Sequence, residues 1–343
     1  MIRLWALSLA LASSILAEPL AHGPWTGWKH VKYLFVFGDS YTQTGFDVKG
    51  TQPNPANPMG NPPYPGWTSS NGPNWVDFLT YNYNESYLQT YNLAYGGATV
   101  DSALVAPWQP TVLSLKNQVQ ELYLPNYGSH PAPAPWKASD SLFAFFIGIN
   151  DVGNTWWLNN ATLYDLIFAQ YDSLLEQVYS TGARNFLFLA VPPVNLAPMT
   201  LANGPEAVAG EDAAIRDWNT RLGKLATEFR KRHRGVETFV HNTHDVYAAA
   251  IQDPSSYPQT SGLKNTTGFC KAYANGTPTW YTFSEECAHP VNEYFWLNDL
   301  HPTFPIHNAT AASIVKYLDS LGYCGDAGRT NNHFGRKSST RCR

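Results

Sequence analysis

Two polar motifs, one near each end of the chain, hold the residue types that acyl transfer needs. Near the start runs Y-L-F-V-F-G-D-S-Y-T, Tyr33 to Thr42, with a serine just past an apolar run. Near the end runs W-L-N-D-L-H-P-T, Trp296 to Thr303, with a histidine in a polar turn. Between them lies F-F-I-G-I-N-D, Phe145 to Asp151. A serine hydroxyl is a poor nucleophile until a neighbouring base takes its proton. Ser40 offers the hydroxyl and His301 the imidazole. Serine hydrolases place such groups on loops and bring them together on a rigid sheet.

Each motif alone also has a purely structural reading. In G-D-S-Y-T, Thr42 stands where an α/β-hydrolase elbow would have its second glycine, and Ser40 could simply cap a helix. N-L-A-Y-G-G-A-T, Asn92 to Thr99, could be a tight turn. Its paired glycines also allow a backbone N–H to face an oxyanion. Asn150 could cap an Asx-turn or donate its amide to a developing negative charge. His301 precedes Pro302, which restricts its backbone, and it stands close to Asp299. A carboxylate or amide nearby would hold the imidazole in the tautomer whose Nε2 accepts a proton.

These groups need a frame. Tyr33–Phe37 and Ser141–Ile147 are apolar runs, each ended by a glycine, and Asn185–Val191 is ended by Pro192 and Pro193. Such runs predict buried parallel strands, with Val236–Val240 a possible fourth. Apolar residues at helical spacing predict helices over Thr111–Leu124, Leu163–Ser180, Glu211–His233 and Ala309–Leu321. Strands alternating with helices imply a parallel sheet covered on both faces, with ligands at the carboxyl ends of its strands. Ser40 and G-I-N-D both follow predicted strand ends. Gln43–Asn74 and Ser255–Asn292 read as long loops, candidates for cleft walls.

Residues 1–17 have the form of a secretory signal: Arg3, then a mostly apolar stretch, then Ala17. Residues 18–343 suffice for one α/β domain, which is expected to be exported. The net charge of -4 and 14% charged residues argue against a nucleic-acid partner. No later run of apolar residues is long enough to span a membrane. N-x-[ST] triplets at Asn84, Asn160, Asn265, Asn275 and Asn308 suggest a glycoprotein. The 4 cysteines allow three pairings, of which Cys270–Cys287 and Cys324–Cys342 close short local loops and are preferred. The 12 Trp and 20 Tyr supply rings for core packing and for stacking on sugars. His241, His244 and Asp245 lack a matching carboxylate set, so no metal is expected, and no glycine-rich phosphate loop suggests a nucleotide or other cofactor.

In this order, the segments resemble the GDSL-type lipases and esterases, also called SGNH hydrolases, over nearly all of residues 18–343. V-F-G-D-S-Y-T and W-L-N-D-L-H-P-T look most like the fungal acetyl esterases of carbohydrate esterase family sixteen. The resemblance implies a flavodoxin-like three-layer α/β/α sandwich with a central parallel sheet. It implies Ser40 as nucleophile and His301 as general base. Gly97 and Asn150 would join the Ser40 N–H as the oxyanion hole. The family usually carries its aspartate three residues before the histidine, where this chain has Asn298. Asp299 one step closer, Asn298 itself, or a backbone carbonyl could orient the ring, and Asp299 is the expectation.

The function implied is a secreted, monomeric serine esterase that takes acetyl groups from hemicellulose oligosaccharides. The alternatives are a lipase or phospholipase of the same superfamily acting on longer acyl esters, and a secreted carbohydrate-binding protein without turnover.

Overall fold

Where the chain carries its apolar runs, it forms strands. The computed structural model describes residues 25–321. Its five strands are β1 (Tyr33–Gly38), β2 (Gln89–Asn92), β3 (Ser141–Phe146), β4 (Asn185–Leu189) and β5 (Glu237–His241). All pairings are parallel, in the order β2-β1-β3-β4-β5. That is a flavodoxin-like order, whose ligand crevice opens where the chain reverses direction between β1 and β3. Q-T-Y-N of β2 is half polar and sits at a sheet edge, so the apolar-run criterion does not find it.

Side chains alternate across the sheet, and aromatics fill both sides. Phe35 stacks on Phe143 at 5.0 Å and Phe37 on Phe145 at 4.7 Å, each pair in register across β1 and β3. Around them pack Tyr123, Trp136 and Tyr171. Phe146 points to the opposite face and meets Trp75 and Tyr41. Fully burying one such ring stabilises the fold by roughly 1.5–3 kcal/mol.

Helices cover both faces. They are α1 (Trp75–Tyr81), α2 (Ile149–Gly153), α3 (Ala161–Ser180), α4 (Pro205–Arg232), α5 (Thr243–Gln252) and α6 (Phe304–Ser320). α1 and α5 pack against α6, and α3 packs against α4, giving three layers. α4 and α6 begin earlier than the apolar spacing predicts. In each a proline stands in the first turn, where its missing N–H costs nothing. The helix predicted over Thr111–Leu124 is an irregular one over 115–127 with a π-helical middle, Gln118–Tyr123.

The Cys270–Cys287 disulfide is present. Cys324, Cys342 and the leader 1–17 lie outside the described residues. Asn84, Asn160 and Asn275 are exposed, whereas Asn308 is partly buried on α6 with its Oδ1 accepting from the Tyr83 hydroxyl at 2.6 Å. Among the described residues, no helix is long and apolar enough to cross a membrane.

Candidate active site

Ser40 stands just past the carboxyl end of β1, in a turn held from beneath. The Gln118 side-chain amide clamps the last strand residue, accepting from Gly38 N–H at 3.0 Å and donating to Gly38 O at 2.8 Å. A side chain at Gly38 would come within 2.6 Å of the Phe146 carbonyl oxygen, so only glycine fits. Asp39 is fully buried. Its Oδ1 accepts from Tyr41 N–H at 3.0 Å, and its carbonyl accepts from Thr42 N–H and Gln43 N–H. The next carbonyl groups are taken by two asparagines. Asn74 donates to Thr42 O and Gln43 O, and Asn92 donates to Thr42 O at 2.6 Å.

His301 approaches from the other end of the chain. Its Nε2 lies 2.8 Å from Ser40 Oγ. Tyr41 ties the two motifs together, donating its hydroxyl to Leu300 O at 2.7 Å. Nδ1 of His301 lies 3.1 Å from Asn298 Oδ1. The same oxygen accepts from His301 N–H at 2.8 Å and Leu300 N–H at 3.1 Å, while Asn298 Nδ2 donates to Ala274 O at 3.3 Å. Three donors around Oδ1 and a carbonyl opposite Nδ2 fix which way the amide faces. Nδ1 therefore carries the proton, and Nε2 is left to accept one from Ser40.

The imidazole's Nδ1 faces Asn298 and not Asp299, the residue expected to orient it. The Asp299 side chain is exposed and makes no hydrogen bond among the described residues. Its backbone carbonyl instead accepts from Met199 N–H at 2.9 Å. Neighbouring side chains in a turn diverge, and here only position 298 turns inward. The Asp299 charge acts on His301 from a distance, tending to raise its pKa. Burial dominates and pulls it down to about 4.

The loop bearing Gly97 lies against the nucleophile. Gly96 N–H donates to Gln43 Oε1, and a Cβ on Gly96 would sit 3.8 Å from Ser40 Cβ. Gly97 takes φ +83, and a side chain there would meet the edge of Trp108 at 2.4 Å. Both conditions demand glycine. Among the described residues, neither Ser40 N–H nor Gly97 N–H donates a hydrogen bond. α2 braces the loop from β3. Asn150 Nδ2 donates to Ala98 O at 2.9 Å, and both Asp151 oxygens accept from Val100 N–H at 3.1 and 3.2 Å. An amide nitrogen carries two hydrogens, so Asn150 keeps one donor for a second acceptor. Burial pushes the Asp39 and Asp151 carboxyls up to about 7.

The two long loops form a cleft of about 680 Å³ that reaches His301 and Asn298. Its walls include Thr68 on one side and Asn275 and Trp280 on the other. Asn71 bridges the walls, with Oδ1 accepting from Thr277 N–H at 2.7 Å. Among the described residues, no group of three His, Cys, Asp or Glu is placed to hold a metal. His241 instead contacts the hydroxyls of Thr243 and Ser313.

Sequence reasoning does not find Gln43, Gln118 or the Ala274 carbonyl. Gln118 leaves a faint signal, because it falls on the buried stripe of its helix with Leu115, Val119 and Tyr123. A polar residue on an apolar stripe has to satisfy something.

Residues 34–312 match the family model described as GDSL-like Lipase/Acylhydrolase. The chain is 38% identical over 286 residues to an acetylesterase of Thermothelomyces thermophilus, covering 83% of this chain and 87% of that protein. It is 24% identical to GDSL esterase/lipase 5 of Arabidopsis thaliana over 83% of this chain and 82% of the relative. Among solved structures, it aligns with Axe2, an acetylxylan esterase from Geobacillus stearothermophilus. That alignment has 12% identity and a TM-score of 0.46, and covers 84% of this chain and 96% of the other.

Proposed function

The chain belongs to the GDSL-like lipase/acylhydrolase family and is a carboxylic ester hydrolase; from that premise we propose that it is a secreted esterase removing acetyl groups from hemicellulose-derived oligosaccharides. Ser40 Oγ attacks the ester carbonyl while His301 Nε2 takes its proton. The tetrahedral oxyanion is stabilised by the N–H groups of Ser40 and Gly97 and by the second hydrogen of the Asn150 amide. His301 then returns the proton to the departing sugar hydroxyl, leaving an acetyl ester on Ser40. The same imidazole activates water, and acetate leaves.

The observation that carries this reading is the Ser40 Oγ–His301 Nε2 contact of 2.8 Å, with Asn298 holding Nδ1. Asn298 replaces a carboxylate with a neutral acceptor. It fixes the tautomer but stabilises the imidazolium less. The likeness to the Thermothelomyces acetylesterase supports a short acyl group. Trp67 and Trp108 are each 70% exposed, and both adjoin the nucleophile's surroundings through Gly45 and Gly97. Open indole faces there suit the C–H faces of sugar rings.

The test is acetate release from acetylated xylo-oligosaccharides by the wild type and by Ser40→Ala. Release that vanishes in the variant supports the reading. A rate that climbs with acyl chain length on synthetic esters, with no release from the sugars, overturns it in favour of a lipase.

A further inference from the structure

A second cleft, of about 560 Å³, is lined in part by Met199, which bonds the histidine loop. Trp157, Met199, Asn203, Glu206 and Glu211 line it, with Gly153 at its floor. Two links tie it to the reacting groups. Met199 N–H donates to Asp299 O at 2.9 Å, two residues before His301. Gly153 is on α2 with Asn150, about one turn or 5 Å along the helix.

The lining joins an aromatic platform to a carboxylate oxygen that opens onto the cleft. Trp157 is 58% exposed, and Trp156, itself packed against the core, meets it edge-on at 5.6 Å and 86°. Glu211 is only 2% exposed. Its Oε2 accepts from the Thr200 hydroxyl at 2.6 Å, while among the described residues its Oε1 accepts no hydrogen bond. Among the described residues, and outside Gly153's own helix backbone and chain neighbours, Oε1 is the one atom within 4 Å of where a Cβ on Gly153 would be, at 4.0 Å. The missing side chain of Gly153 thus leaves this oxygen facing the cleft. The oxygen is open to a donor that enters the cleft. An acyl chain cannot supply that donor, whereas a hydroxyl can.

We propose that this second cleft is a sugar subsite, in which a neutral pyranose stacks on Trp157 and donates a hydroxyl to Glu211 Oε1. It rests on the deacetylation reading and extends it, placing the substrate's neighbouring sugar on the Met199 side of the histidine loop. Burial raises the Glu211 pKa, so its carboxyl gains a proton more readily than an exposed one. A hydroxyl can pair with either form.

The experiment compares kcat/KM on acetylated xylotriose with kcat/KM on 4-nitrophenyl acetate, which has no second ring. For Trp157→Ala the ratio of the two falls about tenfold, as expected for losing an aromatic stacking contact with its buried area. Trp157→Phe restores most of that loss. Glu211→Gln keeps the side-chain volume and lowers the ratio about threefold, a fraction of the hydrogen bond's worth. An unchanged ratio in both Trp157→Ala and Glu211→Gln, with wild type active on the sugar, overturns the subsite and leaves the function standing. A wild type that releases no acetate from the sugar overturns both. Variants that instead change the preference between acetyl and octanoyl esters make the cleft an acyl pocket and overturn the proposal.

Discussion

The Ser40 turn and the His301 loop meet at the Ser40–His301 contact and at the Tyr41 hydroxyl on Leu300 O, yet different forces hold them. The Ser40 turn hangs from the carboxyl end of β1, an interior strand of a buried sheet. Gln118, Asn74 and Asn92 bond its backbone, and Asp39 is wholly enclosed beneath it. The His301 loop is held by scattered hydrogen bonds, from Tyr41 to Leu300 O, from Met199 N–H to Asp299 O and through the Asn298 amide. Asn298 links it to Ala274, in the long irregular segment closed by Cys270–Cys287. The nucleophile is therefore placed by the core, and the base by a hydrogen-bond chain running through a surface loop. Damage to the first region should cost chemistry directly. Damage to the second should act through the orientation of one ring.

The largest expected effect is on the sheet side. Asn150→Ala removes the proposed oxyanion donor and should lower kcat about 10²–10³-fold in steady-state assays. A kcat within a few-fold of wild type would remove Asn150 from that role. Next comes the staple of the loop side. Replacing Cys270 and Cys287 by serine opens a 17-residue loop and should cost about 3 kcal/mol in urea unfolding. An unchanged midpoint would mean that the segment is held by its packing alone. Asn298→Ala should then cost about 2 kcal/mol of transition-state stabilisation, roughly thirtyfold in kcat, through one lost charge-assisted hydrogen bond. Wild-type kcat in that variant would shift the orienting role to another group.

The pH dependence of stability compares the same regions through their buried groups. Asp39 and Asp151 are raised to about 7 and Asp77 to about 8, each chiefly by burial. Burial lowers His241 and His301 to about 4 and His307 to about 3. A carboxyl raised in the fold adds stability at low pH that is lost as pH rises through the folded value. A histidine lowered in the fold adds stability at high pH that is lost as pH falls toward the folded value. Between about pH 4 and 6.5 the three aspartates and the three histidines oppose each other, and Glu211, also raised by burial, adds to the carboxyl side. The thermal midpoint should stay nearly level there, then decline from about pH 6.5 to 8 as only the carboxyls respond. A midpoint that climbs through neutrality would show the acids ionised in the fold. The smallest expected effect is Asp299→Asn, with kcat within about twofold, since an exposed charge is well screened. A loss larger than that of Asn298→Ala would reverse the roles of the two residues.

Much of the frame could be read in advance because its causes are local. Apolar runs ended by glycine or proline became β1, β3 and β4. The Cys270–Cys287 loop was legible from its short spacing. β2 was not, because its half-polar residues are strand only through their register with Tyr33–Val36. The Gln118 clamp was not legible either, since it joins positions 80 residues apart.

The sequence by itself determined which residues were available for the chemistry. A serine beyond a buried run, glycines that tolerate positive φ, an asparagine after a second run and a histidine before a proline all announce themselves within a few residues. Only the tertiary structure places Asn298, and not Asp299, against the imidazole. The two are adjacent, and the local pattern favours the carboxylate. The Ala274 carbonyl stands where a side chain at 298 must donate, and Met199 N–H draws the Asp299 carbonyl the other way. A carboxylate at 298 would set one acceptor against another, whereas an amide satisfies both sides, and those partners come from elsewhere in the chain.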